Sequence, residues 1–113
     1  MFITNRIQKI KDINIMGILN KLFKIPDKKE LKDKVNNGAL LLDVRTKEEF
    51  DAGHAEGSVN IPVSDLGKEI DMISKDSPII AFCESGARSA HAVRLLNKNG
   101  FQAYNGGSWK TFK

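Results

Sequence analysis

The sequence predicts an α/β fold, a parallel sheet with helices on both faces. Two observations predict it. Short apolar runs recur at 39–44, 58–62, 77–83 and 101–105. Runs of that length, bounded by Gly, Pro, Asn or Asp, read as buried strands. Amphipathic stretches separate them, and a helix between strands favours parallel pairing, because a parallel neighbour needs a crossover connection.

The elements follow in chain order. "FKI" at 23–25 has the composition of a short strand, ended by Pro26. "DKKELKDKVNN" predicts a helix capped by Asp27 and closed near Gly38. "ALLLDV" at 39–44 is a buried strand. Thr46 stands three residues before Glu49, the spacing of a capping box, and Gly53 ends the short helix it opens. "SVNIP" at 58–62 is a strand stopped by Pro62. Ser64 is placed to cap "DLGKEIDMISK", whose Leu66, Ile70 and Ile73 share a face. "SPIIAFC" at 77–83 is the most apolar strand and the most central. "ARSAHAVRLLNKNG" at 87–100 is the clearest helix, with Ala90, Val93, Leu95 and Leu96 inward and Gly100 as its left-handed stop. "FQAYN" at 101–105 is the last strand, and "GGSWKTFK" carries Trp109 on a short helix.

Composition narrows the function classes. The chain has 113 residues, enough to bury a core without disulfides or metal. The net charge of +4 is uneven: residues 1–36 hold nine Lys/Arg against four Asp/Glu, and the remainder holds nine against ten. The folded part is therefore close to neutral, which argues against a nucleic-acid partner. Residues 1–24 read as a basic lead-in, flexible or helical, and 25–113 as the domain. Ile3, Ile7, Ile10 and Ile13 recur at helical spacing among basic residues. That pattern suits an amphipathic surface helix or a contact with an anionic surface. A start at Met16 is the other reading of this stretch. No apolar run has the length of a signal sequence core or a transmembrane segment.

The single cysteine, Cys83, excludes an internal disulfide and fits a reducing, cytoplasmic setting. With only His54 and His91 as further soft ligands, a zinc site is not expected, and no cofactor is called for. Cys83 ends the most apolar strand, and the loop Glu84, Ser85, Gly86, Ala87, Arg88, Ser89 leads straight into a helix. In parallel sheets, sites form beyond the carboxyl ends of the strands. The first amides of a helix lack intrahelical partners and favour negative charge. Gly86 lets the loop curl its N–H groups inward as an anion nest, and Arg88 can place a guanidinium near the sulfur or a bound oxyanion. Both would lower the pKa of the thiol and make the thiolate available. The plain alternative is an inert core cysteine. The loop lacks the Lys-Ser/Thr ending of a nucleotide-binding P-loop.

Three ordered stretches, "LLDVRTKEEFDAGHAEGSVNIP" at 41–62, "CESGARS" at 83–89 and "GFQAYNGGSW" at 100–109, resemble a single-domain rhodanese, a sulfurtransferase family. The resemblance spans about residues 25–113. It implies a rhodanese-like α/β fold with a central parallel sheet of about five strands. It implies that Cys83 takes a sulfane sulfur from a small donor, thiosulfate or a persulfide, and holds it as a cysteine persulfide. Cyanide or a thiol, including a protein thiol, then accepts it, with no metal or organic cofactor. With no second cysteine, the acceptor is external. Asp43 and Arg45 look like the family's Asp-x-Arg pair, read as supporting residues, with Arg45 expected to pair with Glu48 or Glu49. His54 reads as a turn residue, His91 as too far along its helix to form a dyad with Cys83, and Trp109 as a core lid. Glu84 departs from many relatives, which carry Arg or a neutral residue there. A carboxylate at that position repels a dianion such as thiosulfate and tends to raise the thiol pKa. Two alternatives stand beside sulfur transfer. One is a non-catalytic interaction module. The other is a phosphatase or arsenate reductase, disfavoured because Arg88 follows Cys83 after four residues rather than five.

Overall fold

A computed structural model describes Ile18 and residues 21–113. The expectations for Ile3, Ile7, Ile10, Ile13 and a start at Met16 lie outside the described residues. Helix α1 (Lys28–Asn36) opens where expected, with the Asp27 carboxylate accepting from the Glu30 N–H at 2.8 Å. Strand β1 (Leu40–Asp43) leads to helix α2 (Lys47–Ala52), which carries the full capping box between Thr46 and Glu49. Strand β2 (Val59–Asn60) is followed by helix α3 (Val63–Glu69) and a 3₁₀ turn (Ile70–Met72). Strand β3 (Ile79–Cys83), helix α4 (Ala87–Lys98), strand β4 (Ala103–Ser108) and a 3₁₀ turn (Trp109–Phe112) complete the chain.

The sheet is parallel throughout, in the order β2-β1-β3-β4. Among the described residues it has four strands, not about five. The difference lies at "FKI". Lys24 turns the chain in the left-handed region (φ 55°), and Ile25 lies against Gly86 and Gly107 instead of pairing with a strand. Two boundaries also differ from expectation. Helix α3 starts at Val63 with Pro62 in the capping position and no side-chain cap, because Pro supplies the entry φ without needing a donor; Ser64 sits inside the helix. The last strand runs to Ser108 because a bulge at Gly106 lets "NGG" continue the ladder: Ala81 faces Asn105 and Phe82 faces Gly107.

Each sheet face has its own core. Ile79, Ala81 and Cys83 of β3 pack with Leu42, Leu66, Ala92 and Leu96, under α3 and α4. Ile80 and Phe82 pack with Leu31 and Trp109 on the opposite face. Both faces of β3 are apolar, so alternation alone does not set its register. Size does: the small Ala81 and Cys83 lie under α4, and the bulky Ile80 and Phe82 fill the other side. A one-residue slip would exchange them. The fully buried face of α4 is Ser89, Ala92 and Leu96, while Ala90, Val93 and Leu95 are only half-buried. The helix is thus rotated from the expected stripe, which brings the polar Ser89 inward beside Cys83. Among the described residues no helix is long and apolar enough to cross a membrane.

Candidate active site

Cys83 is the last residue of β3, and Gly86 is the capping residue of α4. Gly86 holds φ 105°, a conformation that suits glycine and turns its N–H back on the strand end. That N–H donates to the Cys83 sulfur at 3.1 Å. The Ser89 hydroxyl stands 3.5 Å from the same sulfur. Burial pushes the thiol up, since Cys83 is only 1% exposed. The Ser89 hydroxyl and the backbone N–H groups of Ser89, Gly86 and Ser85 oppose that, and together they hold the thiol below its ordinary value. The Gly86 N–H and the Ser89 hydroxyl thus both meet a buried sulfur at the start of α4.

The charged members of the loop are placed differently from expectation. The Arg88 guanidinium makes a two-point pair with the Glu49 carboxylate, at 2.6 and 3.0 Å. Its charge is spent on α2, with Cys83 and Asp43 adding weaker attraction. Glu84 turns outward: its carboxylate accepts from the Trp109 indole N–H at 3.0 Å and sits 3.4 Å from Lys110 and 4.0 Å from Arg45. The Trp109 N–H, with Lys110 and Arg45, holds it below the usual carboxylate range against the opposing effect of burial. The Glu84 carboxylate is thus matched by Trp109, Lys110 and Arg45; Ala87 opens α4 and is exposed.

Asp43 and Arg45 form one buried unit beneath the loop. The Arg45 Nη2 lies 2.7 Å from Asp43 Oδ2, and Nε donates to both carboxylate oxygens. Arg45 was expected to pair with Glu48 or Glu49; it meets only the Glu49 main-chain carbonyl, at 3.4 Å, because two residues of one strand end bring Asp43 closer. It also donates to the Gly53 carbonyl at 2.8 Å and stacks 4.4 Å over the Trp109 ring. His54 accepts its place in the turn by a 2.8 Å contact with the Phe50 carbonyl and by stacking on Phe50. His91 is exposed on α4.

One residue of this constellation escapes a reading of the sequence. Asn105 of β4, 2% exposed, accepts the Ser89 hydroxyl proton at 2.7 Å and donates to the Gly86 carbonyl at 2.9 Å. Its only signal is a polar residue closing an apolar run just before two glycines. A hollow of about 520 Å³ opens beside the loop, lined by Glu84, Ser85, Gly107, Ile25, Lys28 and Lys110 among others. Among the described residues, no group of three or more His, Cys, Asp or Glu is placed to hold a metal.

Comparison with known proteins bears on the family and the fold. A family model for the rhodanese-like domain matches residues 27–112. The YqhL protein of Bacillus subtilis (strain 168) is 42% identical over 62 residues, 55% of this chain. The crystal structure of reduced Bacillus anthracis CoADR-RHD superposes with a TM-score of 0.66 at 33% identity over 74% of this chain. The human single-domain sulfurtransferase TSTD1 superposes with a TM-score of 0.68 at 29% identity over 77% of this chain. The matched region spans about half of YqhL (49%) and 15% of CoADR-RHD, but 92% of TSTD1. The fold, the ordered motifs and the loop around Cys83 lead to one conclusion: this chain belongs to the rhodanese-like domain family.

Proposed function

We propose that the protein is a sulfurtransferase that carries sulfane sulfur on Cys83. The observation that carries the reading is the Gly86 N–H aimed at the Cys83 sulfur from 3.1 Å, with Ser89 beside it. In the first half-reaction the thiolate attacks the outer sulfur of the donor. A sulfur–sulfur bond forms on Cys83 as the donor's own bond breaks, and sulfite leaves from thiosulfate or a thiolate from a persulfide. The terminal sulfur of the resulting persulfide carries the negative charge, and the N–H groups of the loop are placed to receive it. In the second half-reaction an external thiolate or cyanide attacks that outer sulfur, and the Cys83 thiolate departs with its electron pair. No net oxidation occurs and no cofactor is required.

On this reading reactants approach from the hollow that borders the loop at Glu84, Ser85 and Gly107. The pairing of Arg88 with Glu49 disfavours the phosphatase reading, because an oxyanion clamp needs a guanidinium that is free to bind two oxygens. A non-catalytic module has no use for N–H groups converging on a thiol. Incubation with thiosulfate or an organic persulfide, followed by intact-protein mass spectrometry, tests the proposal. A gain of one sulfur, absent in Cys83→Ser and removed by a thiol reductant, is expected. Phosphatase turnover without sulfur uptake, or no uptake from either donor, would overturn it.

A further inference from the structure

We propose that Asn105 is a positioning residue for sulfur transfer: from the neighbouring strand it fixes both groups that meet the Cys83 sulfur, the Gly86 turn and the Ser89 hydroxyl. The inference rests on the sulfurtransferase reading and adds a part to it.

The argument begins with the bulge in β4. Asn105 pairs with Ala81, whose side chain faces the same core as Cys83, and the extra residue Gly106 lets the strand resume at Gly107 opposite Phe82. The bulge needs glycine. A Cβ on Gly106 would lie 2.7 Å from Ile80 Cγ2, and Gly107 holds φ 74°. The result is a buried amide facing the start of α4, with every hydrogen-bonding atom occupied. Its Oδ1 accepts from the Ser89 hydroxyl at 2.7 Å and from the Gly107 N–H at 2.9 Å. Its Nδ2 donates to the Gly86 carbonyl at 2.9 Å and to the Phe23 carbonyl at 3.1 Å.

These contacts define what the side chain does. Gly86 is the one loop residue that must hold a left-handed φ, and its N–H makes the shortest contact with the sulfur. Holding its carbonyl holds the whole turn. Ser89 has one proton to give. Against a neutral thiol it gives that proton to Asn105 and accepts from the S–H. Against a thiolate or a persulfide anion it is already within 3.5 Å to turn its O–H toward the sulfur. An apolar residue at 105 would leave Ser89 free to choose another rotamer and the Gly86 carbonyl short of one partner. The Phe23 contact ties in the segment before α1, whose Ile25 closes over Gly86 and Gly107. That segment precedes the family match at residues 27–112, so the nest is braced by chain outside it.

The test compares the wild-type chain with Asn105→Ala, and with Asn105→Ser should Ala prove insoluble. Folding is checked by circular dichroism. The ionisation midpoint of Cys83 is read from the pH dependence of its iodoacetamide alkylation rate, and sulfur uptake is followed by mass. The expected result is a folded variant whose midpoint rises so that roughly three- to tenfold less thiolate is present below it. Its kcat/KM for sulfur uptake falls by a similar factor, with KM for the donor little changed. A folded variant whose midpoint stays put overturns the proposal. So does a midpoint that falls, which would make Asn105 only a competitor for the Ser89 proton. Failure of the sulfurtransferase reading is seen separately, as a wild type that takes up no sulfur.

Discussion

Arg88 and Glu49 meet through two contacts, Nη1 to Oε1 at 2.6 Å and Nη2 to Oε2 at 3.0 Å, which join the first turn of α4 to α2. The pair gives Glu49 an unusual acidity, at about 2, chiefly through Arg88, against some opposing burial and with help from Thr46. Its side chains remain 37% and 36% exposed, so solvent screening limits what it contributes to roughly 0.2–1 kcal/mol. Because the folded acid is stronger than the unfolded one, this stabilisation is present above the ordinary value of 4.5 and is lost as pH falls toward 2. Urea unfolding of wild type and Glu49→Gln across that window should show the wild type losing stability that the variant does not. Parallel curves would contradict the assignment, and high salt should shrink the difference.

Gly86→Ala should destabilise by about 1–3 kcal/mol, the usual cost of a non-glycine residue at a strained φ. The new Cβ would also approach Ile25 Cδ1 to 2.9 Å. Ile25→Ala in the same chain should recover only the steric part, since the backbone at 105° is unchanged. Urea midpoints for the single and double variants separate the two contributions; complete recovery by Ile25→Ala would remove the role given to φ.

Asp43→Asn should cost about 3–5 kcal/mol, the usual penalty for leaving one half of a buried ion pair unmatched. Asp43 is fully buried and the Arg45 side chain is 3% exposed, so water cannot compensate. The Cys83 alkylation profile of the variant should match wild type wherever the variant is folded. A shifted profile would give Asp43 a direct part in the pocket rather than a supporting one.

Glu84→Gln should improve thiosulfate use modestly. The carboxylate is half-exposed and already matched by Trp109 and Lys110, so its repulsion of a dianion is screened. A change of roughly 0.2–1 kcal/mol corresponds to about a 1.5- to fivefold lower KM for thiosulfate. Steady-state kinetics with thiosulfate and with an uncharged-tail persulfide should show the gain for the first donor only. Equal KM values in both proteins would remove Glu84 from donor choice.

The legible parts of the sequence were those with local causes. Asp27 and the Thr46–Glu49 box act within one turn of their own helices, and both formed as read. The position of Cys83 followed from strand-then-helix order, and Gly86 from the turn between them. What could not be read depended on partners far along the chain. Arg88 finds Glu49 39 residues away, and Asn105 reaches back to Phe23 over 82 residues. "FKI" shows the same limit: its composition suits a strand, but Gly86 and Gly107 offer an apolar seat that only the folded molecule creates. The inward turn of Ser89 follows likewise from the Asn105 acceptor, which no helical periodicity announces.

The central claim is that loop amides and Ser89 overcome burial and keep anionic sulfur stable on Cys83. The most direct test is the ionisation midpoint of Cys83 in the wild-type protein, measured by alkylation rate against pH. A midpoint clearly below that of a free thiol, about 8.5, is the predicted result. A midpoint at or above that value would contradict it.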